Sequence, residues 1–432
     1  MFSMNCISVN REGHLQIESC DAVGLAREYG TPLYVMSENE VRSICREYAN
    51  AAEKYLDGKG IILFASKALC VKEIYRIVQS EGLGADVVSA GELYTALQAG
   101  MDPAKLYFHG NFKTKSELEM ALKTGVGRIV VDNSEELLIL NELSAAAGKK
   151  AEILLRVRPG IDAHTHEFIR TGKLDSKFGV PIHGGEAFEL AKTASELDYI
   201  QFKGIHCHIG SQIFEKEPFT LAAQVMLEFL REINVTLGLK LNELNLGGGF
   251  GVRCAESDNP RSFDEMVKNI AETVKAWCAE NGMEMPFIML EPGRSVVAGA
   301  GLTLYTVGSV KEIPDVRNYI IVDGGMTDNP RYALYGAHYE ALLANKAAEK
   351  PVKAYTIAGH CCESGDVVVK DAVLPQAQAG DVAAVLATGA YNYSMASHYN
   401  RTPKPAMVFV TGETARLAVK RESCEDLARL EI

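Results

Sequence analysis

Short β-rich segments alternate with amphipathic helical segments between residues 60 and 293, and this alternation constrains the fold more than any other feature of the sequence. Strands that alternate with helices are joined by crossovers and therefore run parallel in one sheet. Eight such units favour an α/β fold with a closed (β/α)8 barrel of the TIM type over an open sheet. The eight strand segments are IILFASK (61–67), GADVVS (84–89), KLYFHG (105–110), RIVVD (128–132), EILLRVRP (152–159), FKGIHCHIG (202–210), LNELNLGGG (241–249) and FIMLEPG (287–293).

The pattern changes after residue 300, where strand-like segments follow one another with few helices between them. This order predicts a mostly antiparallel β-domain. The N-terminal segments CISV and HLQIE are also strand-like. We therefore predict a barrel domain over residues 31–299 and a second, sandwich- or barrel-like β-domain built from residues 1–30 and 300–432.

Charge and composition exclude several classes of partner. The 44 Lys and Arg residues against 56 Asp and Glu residues give a net charge of −12, so no basic surplus is available to bind nucleic acid. The sequence has no run of 18 apolar residues and no signal-peptide pattern, so we expect no membrane partner. The ten Cys residues include no C-x-x-C pair, which predicts reduced thiols in the cytoplasm and no metal site.

In a (β/α)8 barrel the reactive groups lie at the carboxyl ends of the strands, and the first strand segment ends at Lys67. Alternation along the strand places Lys67 on the same face as Ile61 and Leu63, toward the barrel interior. One interpretation is a solvated lysine just beyond the strand. The other is an amine that forms a Schiff base with a carbonyl cofactor.

The sixth strand segment carries His206 and His208, both on its inward face. They are compatible with an H-x-H metal pair, with a flat imidazole stacked against a cofactor ring, and with hydrogen-bonded structural histidines. A second H-x-H, formed by His164 and His166, lies in a polar segment, and we expect these two residues at the surface.

Glycine-rich turns follow the last two strand segments, as GGGFG (247–251) and EPGRS (291–295). Consecutive glycines let backbone N–H groups approach a phosphate, and barrels often bind phosphate between the loops after strands 7 and 8. We therefore predict a phosphate site at these turns, with Arg294 beside it. Because Glu291 would repel phosphate, we expect its carboxylate to face another part of the ligand, such as a pyridine nitrogen.

Taken together, these motifs resemble those of the diaminopimelate decarboxylase family, which are pyridoxal-phosphate enzymes of the alanine-racemase-like barrel class. The matching blocks span residues 61–401 in the order the family has them. They are ASK (65–67), GADVVSAGEL (84–93), HGNFKT (109–114), TGKLDSKFG (171–179), HCHIGSQ (206–212), NLGGGFG (245–251), EPGRSVV (291–297), DGGMTDNPRYALY (323–335), CESGD (362–366) and GAYNYSMASHYNR (389–401).

The resemblance implies that pyridoxal 5'-phosphate is the cofactor and that meso-2,6-diaminopimelate is converted to L-lysine and carbon dioxide, the last step of lysine biosynthesis. It also implies a homodimer in which CESGD from one subunit completes the active site of the other. The catalytic residues it assigns are Lys67, which holds the cofactor, Asp86, which supports Lys67 together with Arg156, His208, which stacks on the ring, and Cys362, which donates a proton. The cofactor-binding residues it assigns are Lys67, His208, Ser211, Gly248, Gly249, Glu291, Gly293, Arg294 and Tyr391, and the substrate-binding residues are Arg294, Arg331, Tyr335, Glu363 and Tyr391.

Several alternatives stay open at the level of sequence. A decarboxylase of ornithine, lysine or arginine would share the cofactor residues, but Arg331 and Tyr335 favour a substrate with a distal carboxylate. Racemases of this class place an arginine at the ring nitrogen, where Glu291 is expected here. A metal-dependent hydrolase would typically carry H-x-H on the first strand, which here ends in Lys67. A binding protein that carries the cofactor without turnover is the remaining alternative.

Overall fold

The computed structural model describes residues 4–161, 176–254 and 258–432. His164 and His166 lie outside the described residues, so their expected surface position stays a prediction. The chain divides into two compact units. The β unit comprises Met1–Ser43, Val252–Asn259 and Arg294–Ile432, and the barrel unit comprises Ile44–Gly251 and Pro260–Gly293.

The N-terminal segment forms a small antiparallel sheet, a helix and one further strand. The elements are β1 (Ile7–Val9), β2 (Leu15–Ile17), β3 (Cys20–Asp21), α1 (Ala22–Tyr29) and β4 (Leu33–Ser37). Helix α1 begins at Asp21, whose carboxylate accepts hydrogen bonds from the backbone N–H groups of Val23 and Gly24. The cap satisfies two N–H groups that the first helical turn leaves without partners.

Eight parallel strands form a ring in the barrel unit, because β13 pairs with β5 and β8 pairs with β9. The predicted closed barrel is therefore confirmed, with all eight strands in the predicted segments. The first element is α2 (Glu38–Leu56), which belongs to the barrel unit from Ile44 onward. The others are β5 (Gly60–Ala65), α3 (Lys72–Ser80), β6 (Gly84–Val87), α4 (Ala90–Gln98), β7 (Leu106–Phe108), α5 (Lys115–Thr124), β8 (Arg128–Val131), α6 (Ser134–Ala147), β9 (Ala151–Arg158), the short β10 (Val180–Pro181), α7 (Glu186–Glu196), β11 (Ile200–His206), α8 (Glu217–Leu237), β12 (Glu243–Asn245), α9 (Phe263–Glu280) and β13 (Phe287–Leu290).

One cluster of buried side chains comes from strands all around the ring and therefore fills the barrel interior. Its members are Leu63, Tyr107, Val130, Leu154 and Met289, with Ile61 and Phe287 packed against them. Burial of each large apolar side chain stabilises the fold by about 1.5–3 kcal/mol. The cluster confirms that the face of β5 carrying Ile61 and Leu63 points inward.

Local sequence signals set the ends of the helices between the strands. At α5 the Thr114 side chain accepts from the backbone N–H of Glu117, while the Glu117 side chain accepts from the N–H of Thr114. Gly125, with φ of 74°, ends the same helix in the left-handed conformation that glycine adopts without strain. Such caps fix where each strand emerges and therefore where its last residue lies.

The β unit contains a large sheet whose strands pair in the order β18–β17–β15–β14–β4–β20–β21, with β19 pairing both β14 and β16. The pairings are antiparallel except for β15 with β17 and β4 with β20, so the predicted, mostly antiparallel β-domain is confirmed. The elements are α10 (Arg294–Val297), β14 (Gly301–Ile313), β15 (Arg317–Val322), α11 (Arg331–Tyr335), β16 (Ala341–Leu343), β17 (Lys353–Ala358), β18 (Val367–Leu374), β19 (Val382–Val385), β20 (Ala406–Thr411), β21 (Thr414–Val419) and α12 (Cys424–Ala428).

Strand β4 belongs to this large sheet, where it runs between β14 and β20. All five of its residues are buried. A continuous buried run lacks the alternation that marks a half-exposed strand, which is why the sequence pattern did not reveal it. The predicted domain boundary at residue 31 stays a prediction.

No helix within the described residues is both long and apolar enough to span a bilayer.

Candidate active site

A cavity of about 630 Å³ opens at the carboxyl ends of the barrel strands. Residues that end or follow six of the eight strands line it, as expected for the catalytic end of this fold. The ionisable residues in its lining are Lys67, Asp86, His109, Arg156, Arg158, Lys177, His206, His208 and Glu291. Five of the residues assigned from sequence to catalysis, cofactor binding or support of Lys67 are thus brought together: Lys67, Asp86, Arg156, His208 and Glu291.

Lys67 lies in a single 3-10 turn, Ser66–Ala68, directly after β5. Its side chain is exposed to the cavity, and its Nζ makes no hydrogen bond or ion pair with any other residue that the structure describes. The turn is held from behind, because the N–H of Ser66 donates to Asp86 Oδ1 at 3.2 Å and the Ser66 hydroxyl donates to the carbonyl oxygen of Asp86. An amine held on a fixed turn and pointing into a cavity is suited to covalent attachment of a carbonyl compound.

Asp86 is buried at the carboxyl end of β6. Burial raises the pKa of this carboxyl, and the negative charge of Glu291 raises it further. The positive charge of Lys67 opposes this rise in the pKa of Asp86. The Asp86 carboxyl can therefore accept or release a proton near Lys67.

Glu291 is the centre of a buried network at the end of β13. Its Oε1 accepts a 2.7 Å hydrogen bond from Asn245 Nδ2 and lies 2.8 Å from His109 Nε2. Its Oε2 lies 3.2 Å from His206 Nε2. Burial acts to raise the pKa of Glu291, but the interactions with His109 and His206 outweigh it and hold the pKa well below its usual value. The carboxylate is therefore ionised at neutral pH and presents a fixed negative charge to the cavity.

The two histidine rings beside Glu291 meet edge to face, with centroids 4.8 Å apart. Burial lowers the pKa of His206 to about 4, so this ring is neutral at pH 7 and donates one N–H to the carboxylate. His109 and Asn245 were not among the predicted site residues. Both belong to segments that the sequence singled out, but their contact with Glu291 depends on how three strand ends meet.

His208 follows β11, and its Nδ1 accepts a 3.3 Å hydrogen bond from the backbone N–H of Gly248. Burial, together with the charge of Lys67, lowers the pKa of His208 well below its usual value. Because Nδ1 accepts a hydrogen bond and the pKa is low, the His208 ring is neutral and carries its proton on Nε2. A neutral imidazole held in this way offers a flat face that a cofactor ring can stack against.

The glycines after β12 allow the backbone to pass between neighbouring strand ends. A Cβ on Gly248 would lie 1.9 Å from the carbonyl oxygen of Glu291, and one on Gly249 would lie 2.3 Å from that of Gly210. A Cβ on Gly293 would lie 2.7 Å from Ala65 Cβ. Glycine is therefore required at these turns for close packing of the backbone. Ser211, in the turn after Gly210, is exposed.

Arg156 is held against one wall of the cavity. Its guanidinium lies 4.5 Å from the ring centroid of Phe178, and its Nε lies 4.0 Å from Asp132 Oδ1. Burial lowers the pKa of Arg156, although an arginine remains charged. The stacked cation supplies a positive wall to the cavity that contains Lys67.

A second group of predicted site residues lies within the β unit. The guanidinium of Arg294 lies 4.6 Å from the ring centroid of Tyr391, and that of Arg331 lies 5.3 Å from the same centroid. Arg331 also lies 5.2 Å from the ring of Tyr335, which is exposed. Burial and the charge of Arg331 lower the pKa of Arg294. Two guanidinium groups that share one aromatic ring form a site suited to a carboxylate.

The adjacent residues Cys361 and Cys362 differ in exposure. Burial and the charge of Asp366 raise the pKa of Cys361 to about 11, so it stays a thiol at neutral pH. Cys362 is exposed, and so is the neighbouring Glu363. The exposed thiol is available for chemistry, while the thiol of Cys361 is not activated.

The barrel cavity fits pyridoxal phosphate in three respects. Lys67 supplies an amine with no partner among the described residues, Glu291 supplies an ionised carboxylate, and the glycine turns supply close backbone approach. A metal ion is a competing occupant, because His109, His206 and Glu291 bring three ligand atoms within 4.8 Å of one another. The lysine beside these residues favours the organic cofactor.

Comparison with known proteins agrees with this chemistry. Residues 40–298 match the family described as the pyridoxal-dependent decarboxylases, pyridoxal binding domain. The chain is 47% identical over 422 residues to a diaminopimelate decarboxylase of Bacillus methanolicus, with 98% of each chain covered. It is 46% identical over 435 residues to that of Bacillus subtilis, covering 100% of this chain and 98% of the relative.

Solved structures lead to the same family. The diaminopimelate decarboxylase of M. jannaschii, crystallised with L-lysine, has a TM-score of 0.94 and 34% identity, with 100% of this chain and 99% of that chain covered. A lysine/ornithine decarboxylase from Vibrio vulnificus shares the fold at 21% identity and a TM-score of 0.76. The extent and level of identity show that the chain belongs to the diaminopimelate decarboxylase family of pyridoxal-dependent enzymes.

Proposed function

We propose that this chain removes one carboxylate of meso-2,6-diaminopimelate as carbon dioxide and releases L-lysine, with pyridoxal phosphate held by Lys67. The observation that carries the proposal is the placement of the Lys67 amine in one cavity with the ionised Glu291 carboxylate and the neutral His208 ring. The family relation favours this activity over decarboxylation of ornithine, lysine or arginine.

When bound, pyridoxal phosphate supplies a ring that takes up the electron pair left behind by carbon dioxide. Glu291 keeps the ring nitrogen protonated, since an ionised carboxylate stabilises the positive charge next to it. His208 would cover one face of the ring, and the turns at Gly249 and Gly293 would hold the phosphate. Asp86 and Arg156 hold Lys67 and its surroundings in place.

We assign recognition of the unreacted end of the substrate to charged residues of the β unit. That end is a zwitterion, so it requires a cation for its carboxylate and an anion for its ammonium group. Arg294 and Arg331 supply the cation and Glu363 the anion. Tyr335 and Tyr391 complete the carboxylate site, and Cys362 donates the proton that replaces the lost carboxylate.

A comparison of substrates tests the proposed function. We expect carbon dioxide release and stoichiometric L-lysine from meso-diaminopimelate, with values of kcat/KM on the order of a hundredfold lower for lysine and ornithine, because these lack the distal carboxylate that would pair with Arg331. The Arg331→Ala variant should lose most of that preference while the spectrum of the bound cofactor is unchanged. Equal turnover of the three substrates by the unmodified protein would exclude this function.

We also propose that the protein is a homodimer with shared active sites, in which Cys362 and Glu363 of one subunit serve the site of the other. The exposure of both residues leaves them available to a partner. The resemblance to the diaminopimelate decarboxylase family implies that these residues complete the active site of the other subunit.

Mixing two inactive variants tests the shared site. A Lys67→Ala chain retains Cys362, and a Cys362→Ala chain retains Lys67, so each mixed dimer would contain one intact site. Random mixing makes half of the dimers mixed, and we expect recovery of about a quarter of the parent activity. Mass spectrometry should verify the mixed dimers, and verified mixed dimers without activity would contradict the shared site.

We place the protein in the cytoplasm. All ten cysteines are free thiols, which is the state that a reducing compartment maintains. Fractionation of cells followed by immunoblotting tests this location.

A further inference from the structure

One buried carboxylate links two of the loops that carry predicted substrate-binding and catalytic residues. We define the Arg331 loop as residues 323–331 and the Cys362 loop as residues 359–366. The side chain of Asp366 is 3% exposed. Its Oδ1 accepts a 2.6 Å hydrogen bond from the N–H of Met326, and its Oδ2 accepts a 2.7 Å hydrogen bond from the N–H of Cys361. Each carboxylate oxygen therefore holds a different loop.

The space around this carboxylate admits no extra atom. A Cβ on Gly325 would lie 2.4 Å from Asp366 Oδ1, and a Cβ on Gly359 would lie 2.3 Å from Asp366 Oδ2. Both glycines, one from each loop, therefore pack closely against the carboxylate of the same side chain. Since the packing leaves the carboxylate little freedom, the two loops have a fixed separation.

Further hydrogen bonds join the same loops and a third one, the Tyr391 loop of residues 389–401. The N–H of His360 donates to the carbonyl oxygen of Gly324 at 3.2 Å, and the N–H of Ser397 donates to that of Thr327 at 2.8 Å. Asn400, whose φ is 51°, accepts from the N–H of Cys362 through its side chain at 2.8 Å. The three loops thus form one hydrogen-bonded assembly within the β unit.

We propose that Asp366 is a positioning residue that sets the placement of Arg331 and Cys362 together, through the backbone of the loops that carry them. The proposal rests on the proposed function, since it assumes that Arg331 binds substrate and that Cys362 donates a proton. Among the described residues, neither side chain forms a hydrogen bond or an ion pair with Asp366, so its effect passes through Met326 N–H on one side and Cys361 N–H on the other. In the proposed dimer, Asp366 thereby couples substrate binding at one active site with proton donation at the other.

The two hydrogen bonds of Asp366 indicate a substitution that alters the position of the loops without altering the packing around residue 366. An ionised carboxylate accepts at both oxygens, whereas an asparagine of nearly the same shape accepts at only one. In Asp366→Asn the amide –NH₂ must face one of the two backbone N–H donors. The fixed separation of the two loops is therefore lost, and both loops are displaced from their positions, while the volume at residue 366 is kept.

We expect Asp366→Asn to raise KM for meso-diaminopimelate and lower kcat, each by about tenfold, which is the effect of losing one hydrogen bond to a charged group. The absorption spectrum of the bound cofactor should be unchanged, because no residue of the barrel cavity is altered. The rate at which iodoacetamide alkylates Cys362, measured by peptide mass spectrometry, should change at least about threefold. Asp371→Asn is the matched control, because Asp371 is exposed and its side chain accepts one long hydrogen bond, from the Thr356 hydroxyl at 3.5 Å. The kinetics and the alkylation rate of this variant should match the parent.

Asn400→Gly provides a second test that does not disturb a buried group. Glycine adopts the positive φ of residue 400 without strain and removes only the carboxamide that holds Cys362 N–H. We expect a severalfold lower kcat and a changed alkylation rate at an unaltered KM, because the Arg331 loop is still held by Asp366. If Asp366→Asn fails to fold, this separation of kcat from KM carries the test.

The outcomes that overturn the proposal are distinct from failure of the proposed function. If a folded Asp366→Asn protein keeps the kinetic constants and the alkylation rate of the parent, Asp366 has no positioning role. If Asn400→Gly changes neither kcat nor the alkylation rate, the placement of Cys362 does not depend on the backbone hydrogen bonds of its loop, and the proposal that Asp366 acts through such bonds is overturned. Turnover of meso-diaminopimelate by the parent tests the function by itself, and alkylation of Cys362 is measured without any turnover.

Discussion

Replacing Lys67 by alanine is expected to abolish the visible absorption of the lysine-bound cofactor and to lower kcat on the order of a thousandfold or more, because the group that holds the cofactor is removed. Lys67 makes no hydrogen bond or ion pair with the other described residues and is exposed to the cavity, so its removal leaves the fold intact. Absorption spectroscopy, steady-state kinetics and thermal unfolding of the cofactor-free forms measure these effects. The unfolding temperatures of the two cofactor-free proteins should agree.

Lys72→Ala is the matched control, since Lys72 is an exposed lysine five residues further along the chain. Its spectrum and activity should equal those of the parent. Borohydride reduction followed by peptide mapping should place the label on the peptide that contains Lys67. A label on another lysine, or full activity in Lys67→Ala, would refute the assignment.

Replacing Glu291 by glutamine is expected to lower kcat by about a hundredfold while the cofactor stays attached to Lys67. A neutral amide no longer stabilises a protonated ring nitrogen, which is the charge that the proposed reaction requires. The fold should tolerate the change, because the amide oxygen still accepts a hydrogen bond from Asn245. His206 can move its proton to Nδ1, which has no hydrogen-bond partner among the described residues, and its Nε2 can then accept from the new –NH₂. Steady-state kinetics and the cofactor spectrum check both parts.

Glu243→Gln separates this effect from the general cost of altering a buried glutamate in the barrel. Glu243 is the first residue of β12, at the opposite end of the barrel strands from the cavity, and accepts a 2.7 Å hydrogen bond from Arg128 Nε. We expect a lower unfolding temperature and an unchanged kcat for this variant. If Glu291→Gln retains the kcat of the parent, Glu291 does not act on the ring nitrogen.

The sequence was sufficient to predict the barrel because each of the eight strands is recognisable from a short β-rich segment, and helical segments alternate with these strands. Lys67 and Glu291 followed from the same reasoning, since each comes at the end of a strand, where barrel chemistry is located. The prediction did not extend to the contacts of Glu291 with His109 and Asn245. Those contacts depend on the stagger of β7, β12 and β13 around the ring, which no local pattern encodes.

The β unit was harder to predict in detail. Strand β18 (VVVKDAVL), which directly follows the segment CESGD, was not identified from the sequence. Strand β4 was not identified either, because apolar and polar residues do not alternate along it. Asp366 belonged to a matched motif, but its two hydrogen bonds arise only when loops that are distant in sequence are brought together. Long-range packing, and not residue type, makes this carboxylate a link between loops.

The pairing of β4 also sets an order of events during synthesis. Its partners β14 and β20 begin at Gly301 and Ala406, whereas the barrel unit ends at Gly293. A ribosome therefore delivers all eight barrel strands before either partner of β4 exists, and domains generally fold as units while the chain emerges. We therefore expect the mostly apolar segment LYVMS to lack its partners during that interval and to be the place where chaperones engage the nascent protein.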